Sequence, residues 1–182
     1  MKRFFLALAF LALLVNLPAQ TDKGWRSVGG TGRLTLDFKN SSYYFDLSPE
    51  AYWFVANSFA LGTDFGAGFF SDKVNDSTSS SQVSAYATLG ARYYFSDTEH
   101  KWRPYLFGNA GYEVYAGHSK MNGVKTNSSS NGFRGYAGAG LAWFFSEHAA
   151  FDTRLHLFDY TRNDIYFNPS FSIGIQAFFH HD

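Results

Sequence analysis

The sequence contains no cysteine, only four prolines and two methionines in 182 residues. Without cysteine there is no disulfide framework and no thiolate metal site. Neither sign of charge is in excess, since 15 basic groups balance 15 acidic ones. Nucleic-acid binding usually calls for a basic face, and such a balance does not supply one. A single long apolar run is present, at the N-terminus. Beyond it nothing approaches the ~18 residues that would suggest a transmembrane helix. A phosphate-cradling glycine loop, an HExxH pair and a nucleophile elbow are missing too, so the chemistries those signatures announce are not announced here.

What the chain has in quantity is aromatic. There are 21 Phe, 12 Tyr and 4 Trp, together 20% of the residues, and glycine is raised at 17. So aromatic and weakly charged a chain is not disordered. Its length fits one domain.

Residues 1–20 read MKRFFLALAFLALLVNLPAQ. Lys2 and Arg3 precede a twelve-residue apolar run, and Pro18 and Ala19 precede a polar stretch. That order predicts a secretory signal peptide over 1–19, cleaved near Ala19. Its removal takes away Lys2 and Arg3 and leaves 13 basic against 15 acidic groups. Residues 20–27 then form a short periplasmic lead-in, 28–179 a single domain and 180–182 a tail.

The domain alternates apolar and polar residues almost throughout. Residues 28–39, 43–56, 59–71, 83–95, 103–115, 132–145, 149–160 and 168–179 each read as a strand. In the first, Leu34, Leu36 and Phe38 share one face, and Arg33, Thr35 and Asp37 the other. In the seventh, Phe151, Leu155 and Leu157 oppose Asp152, Arg154 and His156. Soluble strands average about 5 to 6 residues, whereas a transmembrane β-strand needs about 9 to 11. These segments repeatedly reach the longer figure. One face of each carries no charge in its middle, as hydrocarbon requires, because a charge there costs roughly 2–4 kcal/mol. Closure is required as well, since an open edge would leave backbone groups unpaired in lipid.

The connections point the same way. Returns at 57–58, 96–102 and 146–148 are short, while those at 71–82 and 116–131 are long, polar and rich in Ser and Asn. The expectation is short turns at one end and poorly ordered outward loops at the other. Aromatics cluster at strand ends, with Trp53, Phe59, Phe95, Trp143, Phe145 and Phe179 on the short-turn side and Tyr115 among those on the loop side. This suits the headgroup level of a membrane. Pro49 falls inside the second segment, where a closed sheet has no edge to tolerate it. A bulge there or a later strand start is expected. The reading is therefore all-β, an eight-stranded antiparallel up-and-down transmembrane β-barrel.

Several segments add a resemblance. They are the signal peptide ending PAQ, DLSPEAYWFVANSFALGTDFGAGFF at 46–70, RPYLFGNAGYEVY at 103–115 and the final strand SFSIGIQAFF at 170–179. Together they resemble the small eight-stranded outer-membrane barrels of the OmpA/OmpX kind, and more closely the outer membrane protein β-barrel domain proteins of Bacteroidetes. The resemblance implies a bacterial outer-membrane location, and an even strand count puts both mature termini in the periplasm. The resemblance also implies contact with outer-membrane lipids and recognition of the strand ending at Phe179 by the barrel insertion machinery.

The polar faces hold the candidate lumen residues Arg33, Asp37, Asp46, Glu50, Asp64, Arg92, Glu113, Arg134, Asp152, Arg154 and His156. A lumen of eight strands is just wide enough to be filled by side chains. Charges inside it must pair or stay hydrated. An ion-pair network that fills the lumen is one expectation, and a narrow path for small solutes the alternative. Inward glycines such as Gly62, Gly66, Gly68, Gly138 and Gly140 leave room for large partners or a local gap. No catalytic, metal or cofactor site is expected. The triplet Asp152, Arg154 and His156 reads as an ion-pair ladder, and the His118-Ser119 dipeptide as solvated loop. The expected function is a structural or surface-exposed membrane barrel without catalysis, acting through outward loops in adhesion or envelope integrity, with an extracellular partner at those loops. A lipid-modifying enzyme and an inside-out soluble barrel of the lipocalin type are the remaining alternatives.

Overall fold

The computed structural model describes residues 21–37, 42–75, 78–95, 100–121, 124–161 and 164–180. The expected signal peptide and its cleavage point lie outside the described residues, as do His181 and Asp182 of the tail. Eight strands run β1 (Trp25–Asp37), β2 (Ser42–Ala56), β3 (Phe59–Asn75), β4 (Thr78–Tyr94), β5 (Trp102–Met121), β6 (Val124–Ser146), β7 (Ala149–Thr161) and β8 (Asp164–His180). Each pairs antiparallel with its neighbours in sequence, and β1 pairs with β8, so the sheet closes into a barrel. Closure leaves the wall without a free edge over most of its length.

The alternation sets the faces. Leu89 is 71% exposed on the outer wall, whereas Asp152 is fully buried inside. This orientation overturns the inside-out reading, in which the apolar faces would have lined a cavity. Aromatics stack along the outside of the short-turn end. Trp143 lies between Trp102 at 5.5 Å and Phe151 at 5.7 Å, and Phe145 meets Phe151 at 4.8 Å. Trp53, Phe95 and Phe179 are exposed on the same outer surface, and Phe59 pairs with Tyr93. Tyr115 departs from the expected rim. It points inward, and its hydroxyl donates to Glu113 at 2.5 Å.

Several boundaries move. β1 begins at Trp25, so the last residues of the expected lead-in pair with His180, Phe179 and Phe178. Ahead of it, residues 21–24 tuck under the short-turn end. The Gly24 amide donates to the Phe54 carbonyl at 2.9 Å, and the Ser58 amide donates to the Thr21 carbonyl at 2.8 Å. Ser58 holds a left-handed φ of 63° in the two-residue turn.

The larger correction concerns the long connections. Most of 71–82 and 116–131 is strand, not loop. β4 and β5 stay paired as far as Thr78↔Met121, and β5 and β6 as far as Met121↔Val124. β6 leaves its β7 partner at Arg134↔Thr161, so residues 124–133 pair on one side only. At about 3.3 Å per residue, this hairpin stands some 30 Å beyond the end of β7.

Pro49 needs no bulge. It faces outward opposite Gly30. On its other side the β2–β3 ladder lapses between Leu47↔Ala67 and Glu50↔Asp64 and resumes in the same register. A missing N–H is accommodated by that lapse. Bulges lie elsewhere. One at Leu157 of β7 shifts the β6 register between Ala137 and Gly138. The bulge reverses the alternation, so Phe158 rather than Leu157 takes the outward position, 49% exposed.

Candidate functional site

The lumen is built in layers, each supplied by inward positions of several strands. At the short-turn end the floor is aromatic. Phe54, Tyr94, Tyr105, Phe144 and Phe178 are buried and linked by ring contacts, with Phe144 and Phe178 at 4.8 Å, and Tyr52 belongs to the same buried cluster. Arg103 seals this floor. Its guanidinium lies 4.3 Å over the Phe144 ring and donates to Thr21 Oγ1 at 3.2 Å.

Above the floor sits a charged layer. Glu50 binds Arg92 at 2.6 Å and also binds Arg154. Arg154 reaches Asp152 at 2.5 Å, and Asp152 accepts further from Tyr105 at 2.5 Å and from Gln176. Arg92 stacks 3.6 Å over the Tyr52 ring. Two cations thus meet two carboxylates with nearly no access to water. Extra hydrogen bonds satisfy the Arg154–Asp152 side of this layer, whereas the Arg92 guanidinium nitrogens have no hydrogen-bond partner and rest on the Glu50 charge and the Tyr52 ring.

The next layer is carboxylate and phenol. Asp64 accepts from Tyr136 at 2.7 Å and from Asn109 at 2.9 Å. Asp46 accepts from Tyr44 and Tyr86 at 3.1 Å each and from Ser48 at 3.2 Å. His156 meets Ser172 at 3.1 Å and packs against Phe107 and Tyr136. Near the loop end, Glu113 and Arg134 pair at 2.7 Å. Arg33 bonds Ser170 and Tyr44 there. Above them opens a basin of about 1000 Å³. Asp37 lies in β1 opposite Ser42, and its side chain falls outside the described part.

Inward glycines serve both purposes that the sequence leaves open. A Cβ at Gly62 would overlap the Tyr52 ring, one at Gly66 the Tyr86 ring and one at Gly140 the Tyr105 ring. Gly68 instead lines the basin.

His156 and Ser172 stand at hydrogen-bond distance, 3.1 Å, but the pair is buried against Phe107 and Tyr136, and among the described residues no third group orients the imidazole as a base. Asp152 and Arg154 are held in the ion-pair layer, two positions from His156. In the loop-end hairpin, His118 bonds Asn127 at 2.6 Å. Its neighbour Ser119 lies on the opposite face of the sheet, because adjacent strand residues alternate. Among the described residues no group of three His, Asp or Glu side chains gathers to hold a metal ion.

The family model described as outer membrane protein beta-barrel domain matches residues 4–179. The chain belongs to that family. Its place is therefore the bacterial outer membrane. No curated protein matches the sequence. Among solved structures, the barrel is similar to the N-terminal domain of Pseudomonas aeruginosa OprF, at 16% identity and a TM-score of 0.54 over 86% of this chain and 98% of that one. Ail, the attachment invasion locus protein of Yersinia pestis, is 13% identical with a TM-score of 0.56 over 86% and 99%. OprG of Pseudomonas aeruginosa is 13% identical with a TM-score of 0.54 over 91% and 100%. At such identities the likeness concerns the fold.

Residues that the sequence reading did not single out carry much of the lumen. Tyr86, Tyr105 and Tyr136 donate phenols to Asp46, Asp152 and Asp64, Tyr52 accepts from Asn109, and Asn109 and Gln176 supply amides. Their inward parity was the available signal. Arg103 gave none, because a charge beside Pro104 at a strand start reads as an end residue.

Proposed function

We propose that this barrel is a non-catalytic outer-membrane protein that displays the β4–β6 extension to an extracellular partner. The observation that carries this reading is the extension itself. It is ordered by strand pairing, it stands clear of the wall, and it is polar on both faces. Residues 124–132 of β6 are mostly Ser, Asn, Thr and Lys, and nearly all are exposed. Beneath it the lumen is packed with ion pairs and rings, which suits a rigid pedestal better than a path for solutes. The likeness to Ail, an attachment protein by its name, agrees with a display role. Both mature termini lie in the periplasm in this reading, since an even strand count returns the chain to the short-turn end.

The test is to replace residues 116–131 with a two-residue turn and to confirm that the barrel still shifts on heating in a gel. Cells carrying the shortened protein are expected to lose adhesion or serum-component binding. Unchanged binding with a folded, shortened barrel would refute the display role.

A further inference from the structure

β1 and β8 close the barrel through eight pairs, from Trp25↔His180 to Gly32↔Ile173, and there their ladder stops. Both strands run on. β1 keeps its β2 partner as far as Asp37↔Ser42, and β8 keeps its β7 partner as far as Thr161↔Asp164. Residues 33–37 and 168–172 therefore face one another without a backbone ladder. In a membrane such an edge is tolerated only where it is buried in protein or lines a water-filled cavity. The loop-end basin of about 1000 Å³ lies directly behind this one.

The basin is lined at this unpaired stretch by residues of both strands. Arg33 and Ser170 take inward positions on their strands. Leu34 and Phe171, their neighbours in the chain, take outward positions and are 63% and 61% exposed. All four line the same cavity. The β1–β8 ladder has already ended at Gly32↔Ile173, so no paired backbone stands between the basin and the outer apolar side chains here.

The two sides of this stretch differ in chemistry. Inside, Arg33 donates from Nη1 to Ser170 Oγ at 2.8 Å across the gap and from Nη2 to Tyr44 Oη at 3.1 Å. Both acceptors are neutral. Among the described side chains no carboxylate lies at ion-pair distance from Arg33, whereas Arg92, Arg134 and Arg154 each have one. A guanidinium offers five donors in a planar fork that matches phosphate and carboxylate. Glu113, which also lines the basin, is held by Arg134 and Tyr115, and Asp159 lines its β7 side. Outside, Leu34, Phe167 and Phe171 make an apolar approach.

We propose that this gap is a lateral mouth that admits one anionic amphiphile from the surrounding leaflet. Its phosphate-type headgroup sits on Arg33, and its chain lies along Leu34, Phe167 and Phe171. The mouth is sited where an amphiphile already has its own boundary between water and hydrocarbon, so neither half need cross an unfavourable medium.

The full-length mature protein, folded in an uncharged maltoside detergent, is titrated with dodecyl phosphate and examined by native mass spectrometry. One dodecyl phosphate is expected to stay bound, and Arg33→Gln is expected to weaken it at least tenfold while the heat shift persists. Inorganic phosphate at the same concentration is expected neither to bind nor to compete. If inorganic phosphate binds wild type as tightly and displaces the amphiphile, the basin is a water-facing anion site and the lateral mouth is wrong. If Arg33→Gln binds dodecyl phosphate like wild type, the headgroup assignment is wrong. Should Arg33→Gln fail to fold, Ser170→Phe, which fills the gap without touching the ion-pair layer, must abolish binding for the proposal to stand.

Discussion

Glu50 and Arg92 meet at 2.6 Å in the barrel interior, each with a side chain only 1% exposed. The same carboxylate holds Arg154, so one acid from β2 compensates two inward cations, one from β4 and one from β7. Removing Glu50 strands both of them in a dry layer. Glu50→Gln is expected to cost about 3–5 kcal/mol, the usual penalty for breaking a buried pair from one side. Glu50→Leu with Arg92→Met removes both partners and leaves Arg154 on Asp152, so most of that loss is expected to return. Urea midpoints of the heat-modifiable band measure both. A single variant within about 0.5 kcal/mol of wild type, the range of an ordinary surface substitution, would mean that water reaches this layer.

Gly66 and Tyr86 make a second, purely steric prediction. A Cβ at position 66 would fall within the Tyr86 ring, and that ring carries the hydroxyl shared with Ser48 and Asp46. Gly66→Val is expected to destabilise the barrel by about 1–3 kcal/mol, as overpacking of a filled interior does. Shrinking the partner in Gly66→Val/Tyr86→Ser is expected to recover part of it. The check is a double-mutant cycle on the same urea midpoints, where simple additivity would contradict the contact.

Much of this architecture was legible because lipid and a filled lumen impose opposite demands on alternate residues. Leu34 against Arg33, or Phe151 against Asp152, shows the strand and its two faces without any structure. Legibility failed where those demands lapse. Residues 124–132 have water on both faces, so no alternation marks them, and only pairing with β5 reveals a strand. Leu157 was misplaced because a bulge reverses parity without a sequence mark. Pro49 looks like a disruption in the sequence because the gap it occupies belongs to the neighbouring ladder, which no local pattern encodes. In the lumen, charges were visible one at a time, but their partners were not. Tyr105 serves both Arg154 and Asp152 only because closure brings β5 and β7 to the same layer.

The aromatic floor predicts the electrical behaviour of the barrel. Phe54, Phe144 and Phe178 are 0–2% exposed and in mutual contact below the ion-pair layer. The intact protein in a planar bilayer is expected to show no steady conductance. Phe54→Ala with Phe178→Ala, read beside a heat-shift control, is expected to admit ions intermittently by opening a gap beside Arg103. Steady channels from the unmodified barrel would revive the reading as a narrow solute path.

Lys120 and Lys125 stand directly opposite each other near the tip of the β5–β6 hairpin. If the extension projects from the cell, trypsin added to intact cells reaches both. An ordered ladder slows cleavage relative to a loose loop, because a strand must first leave its partner to enter a protease. The expected result is a slow cut at 120–125 that leaves two fragments associated and still heat-modifiable, since the hairpin tip contributes nothing to barrel closure. Ser119→Pro, which removes a ladder donor and leaves both lysines in place, is expected to speed that cut several-fold without altering the barrel's urea midpoint. Cleavage confined to cells whose outer membrane has been permeabilised would reverse the orientation and place the extension in the periplasm. Cleavage as fast as that of an unstructured peptide would return residues 116–131 to the loop that their composition first suggests.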